Sequence, residues 1–200
     1  MKVMFINEPF IIEPLGIGYL ASAIKSEGHT AKLALYDKNL RTEIELFKPD
    51  VIAYSVTTGK HQQFVKLNQS LKKAYNFTSV FGGSHPTYYP EMADDDNIDY
   101  IVRGEAEKSF CNLLRSYKDD KIINFEQLEQ NLDNLDFPDR KLLYTYPENL
   151  NNPIKNVMTS RGCQYSCPYC FNSIYRSFYK GQKWVRHRSP ENVIAECEEL

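Results

Sequence analysis

Cys163, Cys167 and Cys170 stand in the run S-R-G-C-Q-Y-S-C-P-Y-C-F-N, a C-x3-C-x2-C array on one short stretch of chain. Thiolates at these intervals can converge on a single centre without help from distant residues. Three are one short of a closed structural zinc site. They are what an iron–sulfur cluster needs when one iron must stay open to another ligand. A zinc site completed by a distant imidazole such as His187, or three unrelated thiols, are the other readings. Five cysteines in all, an odd number, point to metal or redox chemistry before a disulfide framework. From Lys155 to Arg188 the chain has seven Lys or Arg and no acidic residue, which reads as a basic loop surface or as a lining for an anionic group.

A second set of residues lies upstream, on loops after apolar runs. Ser55, Thr57 and Thr58 offer hydroxyls after the run Val51–Val56, and Gly82–Gly83 lets backbone approach a ligand closely or simply makes a tight turn. Neither G-x-G-x-x-G nor G-x-x-x-x-G-K-[ST] occurs, so the phosphate cradles of dinucleotide and P-loop sites are missing.

These residues need a scaffold, and the first 118 positions supply one rhythm. Strands are expected at Lys2–Ile6, Thr30–Tyr36, Val51–Val56, Ser79–Gly82 and Tyr100–Val102. Helices are expected at Leu15–Gly28, Glu43–Lys48, His61–Tyr75 and Ala106–Tyr117. Alternating strands and helices imply right-handed crossovers and a parallel sheet covered on both faces, an α/β domain of flavodoxin-like, doubly wound, five-stranded form over residues 1–118. Ligands in such a sheet bind at the carboxyl ends of the strands.

Residues 119–153 carry eight acidic and three basic side chains and no persistent apolar period, as an interdomain connector would, with LDNLDFPDR able to clip it to a neighbour. Residues 154–200 form a third region: a strand at Asn156–Thr159, the cysteine loop, and a helix opened by Ser189-Pro190-Glu191. Val193, Ile194, Cys197 and Leu200 make one apolar stripe on that helix. Cys111 and Cys197 are expected in core packing.

With 200 residues, 42% hydrophobic and 25% charged, the composition is globular, and the net charge of −2 argues against nucleic-acid partners. No apolar run approaches the roughly 18–20 residues of a membrane span. The start MKVMFINEPF has no signal-peptide core, so a cytoplasmic location is expected.

The cysteine array, with Tyr169 just before its last Cys and a short strand ahead of it, resembles the radical S-adenosylmethionine (SAM) superfamily. The resemblance implies that Cys163, Cys167 and Cys170 hold three irons of a 4Fe-4S cluster. SAM would chelate the fourth iron, with Tyr169 near the adenine. Tyr165 and Phe171 are expected to pack around the loop. The upstream loops resemble the cobalamin-binding domain that precedes the radical SAM domain in one subgroup. They match P-L-G-x-x-Y-L-A at Pro14–Ala21, a Ser or Thr at Ser55–Thr58 and G-G-x-H-P-T at Gly82–Thr87. A G-E-G-E segment matches Gly104–Glu107, where Ala106 replaces the second Gly. Ser55, Thr57, Thr58, Gly82, Gly83, His85, Gly104 and Glu105 thereby become the implied cobalamin contacts.

None of the four histidines, His29, His61, His85 and His187, sits in a D-x-H-x-x-G motif. The resemblance then implies cobalamin bound with its own base displaced and no His lower ligand. His29 is expected at the surface after a helix, and His61 and His85 on ligand-side loops.

The stretch after Asn152 would be the first β/α unit of an incomplete TIM-like partial barrel, each unit taking about 30 residues. On this resemblance the chain is expected to be the N-terminal, C-terminally truncated portion of a cobalamin-dependent radical SAM enzyme, inactive alone. Its reaction would be methyl transfer to an unactivated centre, or radical cyclisation or rearrangement. The partners would be a small-molecule substrate and an electron donor such as ferredoxin or flavodoxin. A non-enzymatic cobalamin-binding module and a zinc-containing interaction protein are the competing expectations.

Overall fold

The structure is a computed structural model describing residues 1–200. Strands are β1 Lys2–Asn7, β2 Thr30–Leu35, β3 Val51–Ser55, β4 Thr78–Gly82, β5 Tyr100–Val102, β6 Ile122–Ile123, β7 Ser160–Arg161 and β8 Arg186–His187. Helices are α1 Leu15–Ser26, α2 Leu40–Phe47, α3 His61–Lys72, α4 Ser84–Tyr88, α5 Glu107–Arg115, α6 Arg140–Leu143, α7 Pro147–Leu150, α8 Phe171–Phe178 and α9 Pro190–Glu198.

Strands β1 to β6 form one parallel sheet in the order β2-β1-β3-β4-β5-β6, and β7 pairs antiparallel with β8. Successive side chains of a strand point to opposite faces, so β1 divides its apolar run between two layers. Val3 and Phe5 join Ile17, Ala21 and Ile24 of α1 and Phe110, Leu113 and Leu114 of α5. Met4 and Ile6 join Leu40 and Ile44 of α2 and Phe64 and Leu71 of α3. A continuous apolar strand is what burial on both faces demands. Strand order reverses at β1, between β2 and β3, which puts the ligand-binding crevice at the carboxyl ends of β1, β3, β4 and β5.

The sheet has six strands, where five were expected. The sixth, β6, is a two-residue edge strand inside the acidic stretch, too short to leave a periodic signal. That stretch packs onto the first domain, in part through LDNLDFPDR. Asp139 caps α6, its carboxylate accepting from Leu142 N at 3.0 Å, and Leu142 and Leu143 enter the core beside α1. Its backbone is stitched to α1: Asp139 N donates to the Gly18 carbonyl at 3.1 Å, and Ser22 Oγ to the Phe137 carbonyl at 2.6 Å. The Tyr146 hydroxyl accepts from Leu35 N at 3.1 Å and so covers the β2 edge.

Two further expectations give way in the last region. Asn156–Thr159 forms no strand; pairing begins only at Ser160, in β7, because its partner β8 is itself only two residues long. Helix α9 starts as expected, with Ser189 Oγ accepting from Asn192 N at 3.1 Å. Its apolar stripe, however, faces outward: Ile194 is 56% exposed, and Leu200 and Cys197 are exposed too. Glu196 is buried in its place, because it meets Arg140 and Arg188. Cys111 lies in the core as expected.

Candidate functional site: a slot at the strand ends beside the cysteine loop

A cavity of about 450 Å³ lies between the sheet and the α1/α5 layer. Its floor is Phe5, Ala53, Val80 and Val102, and its walls are Leu15, Gly16, Ile17 and Leu20 of α1 and Ala106 and Phe110 at α5. Core layers normally close such a gap. This one stays open because Gly16, Ala53 and Ala106 present so little side chain. A Cβ built on Gly16 would meet nothing within 4 Å.

The mouth opens at the strand ends, at Ser55, Gly82, Gly83, Gly104 and Glu105. Met158, Ser160, Arg161, Gly162, Phe171, Asn172, Tyr175 and Trp184 line it from the cysteine-bearing region. Five of the implied cobalamin contacts therefore come together here, whereas Thr57, Thr58 and His85 do not line the cavity. Thr58 Oγ1 lies 3.1 Å from His85 Nδ1, and the His85 ring stacks on His61 at 3.7 Å and on Tyr89 at 5.1 Å. Burial, then the neighbouring His61, holds the His85 imidazole below its ordinary pKa. His29 is half-buried, its Nδ1 3.1 Å from the N-terminal amine.

The glycines of the mouth have different jobs. Gly83 has φ +94°, and a Cβ there would sit 2.8 Å from the Val56 carbonyl oxygen, so the turn itself demands glycine. Gly82 does not carry that demand: its Cβ would make an ordinary 3.6 Å contact with the Val102 carbonyl. Gly104, at φ +84°, leaves room for the Tyr179 hydroxyl and the Phe125 ring, into which a Cβ would collide.

The cysteine loop hangs from β7. Gly162, at φ +86°, lets the chain pass against the Trp184 carbonyl. Cys170 N donates to the Cys167 carbonyl at 3.0 Å, Ser173 Oγ donates to the same carbonyl at 2.8 Å, and α8 begins directly after Cys170. All three sulfur-bearing residues are half-buried, and no three His, Cys, Asp or Glu side chains converge on one ion-sized point. Tyr169 is 90% exposed and stands outside the cavity lining. Tyr165 is largely exposed rather than packed, because the loop arches outward. Phe171 is exposed but meets the Tyr88 ring edge-on at 6.2 Å. Burial pushes the Tyr88 hydroxyl up to about 12, with Cys170 and Tyr179 adding to it.

Three of the seven basic side chains of the acid-free segment, Arg161, Arg186 and Arg188, pair with carboxylates from outside it. Arg161 Nη1 donates to Glu105 Oε2 at 2.8 Å and its Nη2 to Glu107 Oε1 at 2.6 Å. Arg186 is fully buried; it pairs with both Glu105 oxygens and donates to the Glu129 carbonyl at 2.8 Å. Burial pushes the Glu105 carboxyl up, but the Arg186 hydrogen bond and both guanidinium charges outweigh it and hold the group below its ordinary value. The Arg161 charge is therefore matched by protein carboxylates. The acids of G-E-A-E and the two arginines were the available signal for this network, and only the fold shows that they meet.

With this geometry in view, comparison with known proteins is specific. A model of the B12 binding domain matches residues 1–114. An uncharacterized methyltransferase of Pyrococcus horikoshii is 31% identical over 92% of this chain and 44% of its own length. The anaerobic magnesium-protoporphyrin IX monomethyl ester cyclase of Cereibacter sphaeroides is 26% identical over 94% of this chain and 35% of its own length. The hopanoid C-3 methylase of Methylococcus capsulatus is 25% identical over 80% of this chain. In fold, the chain superposes over its whole length on the radical S-adenosylmethionine methyltransferase TsrM from Kitasatospora setae, with TM-score 0.72 and 17% identity, covering 45% of that chain.

The chain belongs to the B12-binding domain family, and the curated relatives described above are two methyltransferases and a cyclase by name. It spans less than half the length of the curated relatives described here. No helix is long and apolar enough to cross a membrane.

Proposed function

We propose that this chain is the corrinoid-binding and cluster-bearing portion of a cobalamin-dependent radical SAM enzyme acting on a small molecule by methyl transfer or radical cyclisation. The observation that carries this reading is the slot. It is mostly apolar and opens at the switch-point edge of the sheet, where Gly162, Phe171 and Asn172, on either side of the cysteine run, line it. Its shape suits the flat, apolar base of a corrinoid whose base has left the metal, and the minimal side chains of Gly16, Ala53 and Ala106 are what leave room for it. Ser55, Gly82, Gly83 and Gly104 would border the macrocycle.

The donor set at the loop, three soft thiolates with no fourth protein ligand, suits a 4Fe-4S cluster with one open iron. Cys163, Cys167 and Cys170 would hold it, with Tyr169 free to cover an adenine. When bound, these groups would supply a 5′-deoxyadenosyl radical and a transferable methyl group, with electrons from a donor such as ferredoxin or flavodoxin. This chain's own residues hold the two sites against each other, keep water out of the slot through Phe5, Val80 and Phe110, and leave the mouth facing the loop. The domain limits at 118 and 153 fit this reading less well than a first unit that extends through α6, since Leu142 and Leu143 complete its core.

Anaerobic iron and sulfide reconstitution together with hydroxocobalamin titration tests the proposal. The expected result is a visible cluster absorbance lost in the Cys163→Ala, Cys167→Ala, Cys170→Ala triple variant, and stoichiometric corrinoid binding lost in Gly82→Leu. One bound zinc without iron, or corrinoid binding indifferent to Gly82→Leu, would overturn it. Corrinoid binding without a cluster would reduce it to a binding module.

A further inference from the structure

The turn after β5 touches the cysteine-bearing unit at both of its ends, through a single residue. Arg161, which enters the loop just ahead of Gly162 and Cys163, is held by the Glu105 carboxylate. Tyr179, which closes α8 on the far side of Cys170, takes a hydrogen bond on its hydroxyl from Glu105 N at 3.1 Å. Arg186 on β8 pairs with the same carboxylate and ties in the strand that supports β7. Residues 162–178 are thus a span whose two abutments rest on Glu105.

The same residue lines the cavity together with Gly104, Ala106 and Glu107. Its carboxylate is fully engaged, so its polar side is turned to the cysteine unit. Gly104 permits the arrangement: without a Cβ it lets Tyr179 reach the Glu105 amide. Glu107 grips Arg161 alone, and Arg161 also lies over the Tyr19 ring of α1 at 5.0 Å. The grip on the loop therefore runs from the sheet edge to both cavity walls.

We propose that Glu105 is a positioning residue: its carboxylate and amide together fix the cysteine loop over the mouth of the strand-end cavity. A ligand that orders the 104–107 turn would then order residues 162–178, and the effect is reciprocal.

The test is hydrogen exchange on the metal-free chain, paired with the emission of Trp184, the single tryptophan, whose ring packs on Tyr175 and Tyr179. Glu105→Gln should speed exchange at least tenfold across 162–170 and shift Trp184 emission to the red, with β1, β3 and β4 unchanged. Tyr179→Phe, which keeps every charge, should loosen 171–178 instead. Glu107→Gln should have a smaller effect than Glu105→Gln. This end-by-end pattern is not what general destabilisation produces. Exchange that is unchanged in both segments, or raised equally across the sheet, would overturn the proposal, and Tyr179→Phe decides the matter if Glu105→Gln does not fold. A final arm rests on the functional reading above: hydroxocobalamin should slow exchange of 162–178 in the wild type and not in Glu105→Gln. If hydroxocobalamin binds neither protein, the corrinoid reading fails while the metal-free result still judges Glu105. Binding that protects both proteins alike counts against it.

Discussion

Gly18 of α1 and Pro138 touch so closely that a Cβ on Gly18 would lie 2.8 Å from the Pro138 Cβ. Two residues earlier, Gly16 faces open space. Gly18→Ala must push the 137–139 segment off the helix, and small-to-large changes of this kind destabilise by about 1–3 kcal/mol. Gly16→Ala should instead stabilise by about 0.5–1 kcal/mol, the helix preference of Ala over Gly. Urea unfolding of the two variants beside the wild type measures the opposite signs.

Filling the slot from the helix side separates stability from binding. Gly16→Leu adds a side chain where the protein has no atoms, so it should fold with unfolding midpoint equal to or above the wild type. Corrinoid affinity should fall at least tenfold in a hydroxocobalamin titration. A variant that binds as well as the wild type would place the ligand elsewhere.

Glu196 is 1% exposed and pairs with Arg140 and Arg188, themselves almost wholly buried. Two nitrogens of Arg140, Nε and Nη1, already lack a hydrogen-bond partner. Glu196→Ala would leave Arg188 without a carboxylate and Arg140 with Glu13 alone, 3.7 Å away, and breaking a buried pair from one side destabilises by about 3–5 kcal/mol. Thermal unfolding should show that loss, and Glu198→Ala on the exposed face of α9 should show none.

Acid should act through Glu13. Burial raises its carboxyl, but hydrogen bonds from Asn156 and Tyr144 and the charge of Arg140 prevail and lower it below the ordinary 4.5. A carboxyl lowered on folding contributes stability that is complete above the unfolded value and is lost as pH falls toward the folded one. Stability of the wild type should therefore drop below about pH 4.5, and Glu13→Gln should show a shallower drop in urea midpoints measured between pH 6 and pH 3.

Legibility from sequence divides by physical cause. The strands around Met4, Ile52 and Val80 announced themselves because burial on both faces forces unbroken apolar runs. The cysteine array was legible because its three cysteines are close neighbours along the chain. The slot was not: Gly16, Ala53 and Ala106 look like ordinary helix and strand residues until three elements bring them round one void. The Glu105 contacts were hidden for the same reason, since Arg161 and Arg186 lie 56 and 81 positions away along the chain. Glu196 misled in the other direction, because an acid amid Val193, Ile194 and Cys197 marks the wet side of a helix unless two distant arginines claim it.

The stitching of α1 to the 137–139 segment has a kinetic consequence. A helical wall fastened by Gly18–Pro138, Ser22–Phe137 and Lys25–Asp139 cannot swing aside to admit a guest sideways. Access is left to the strand-end mouth, so a tailed ligand would have to thread its narrow end first and seat its wide end last. Departure would reverse that order, which predicts slow release: the lifetime of the complex would be set by withdrawing the tail, and cutting any of those three fastenings should shorten it.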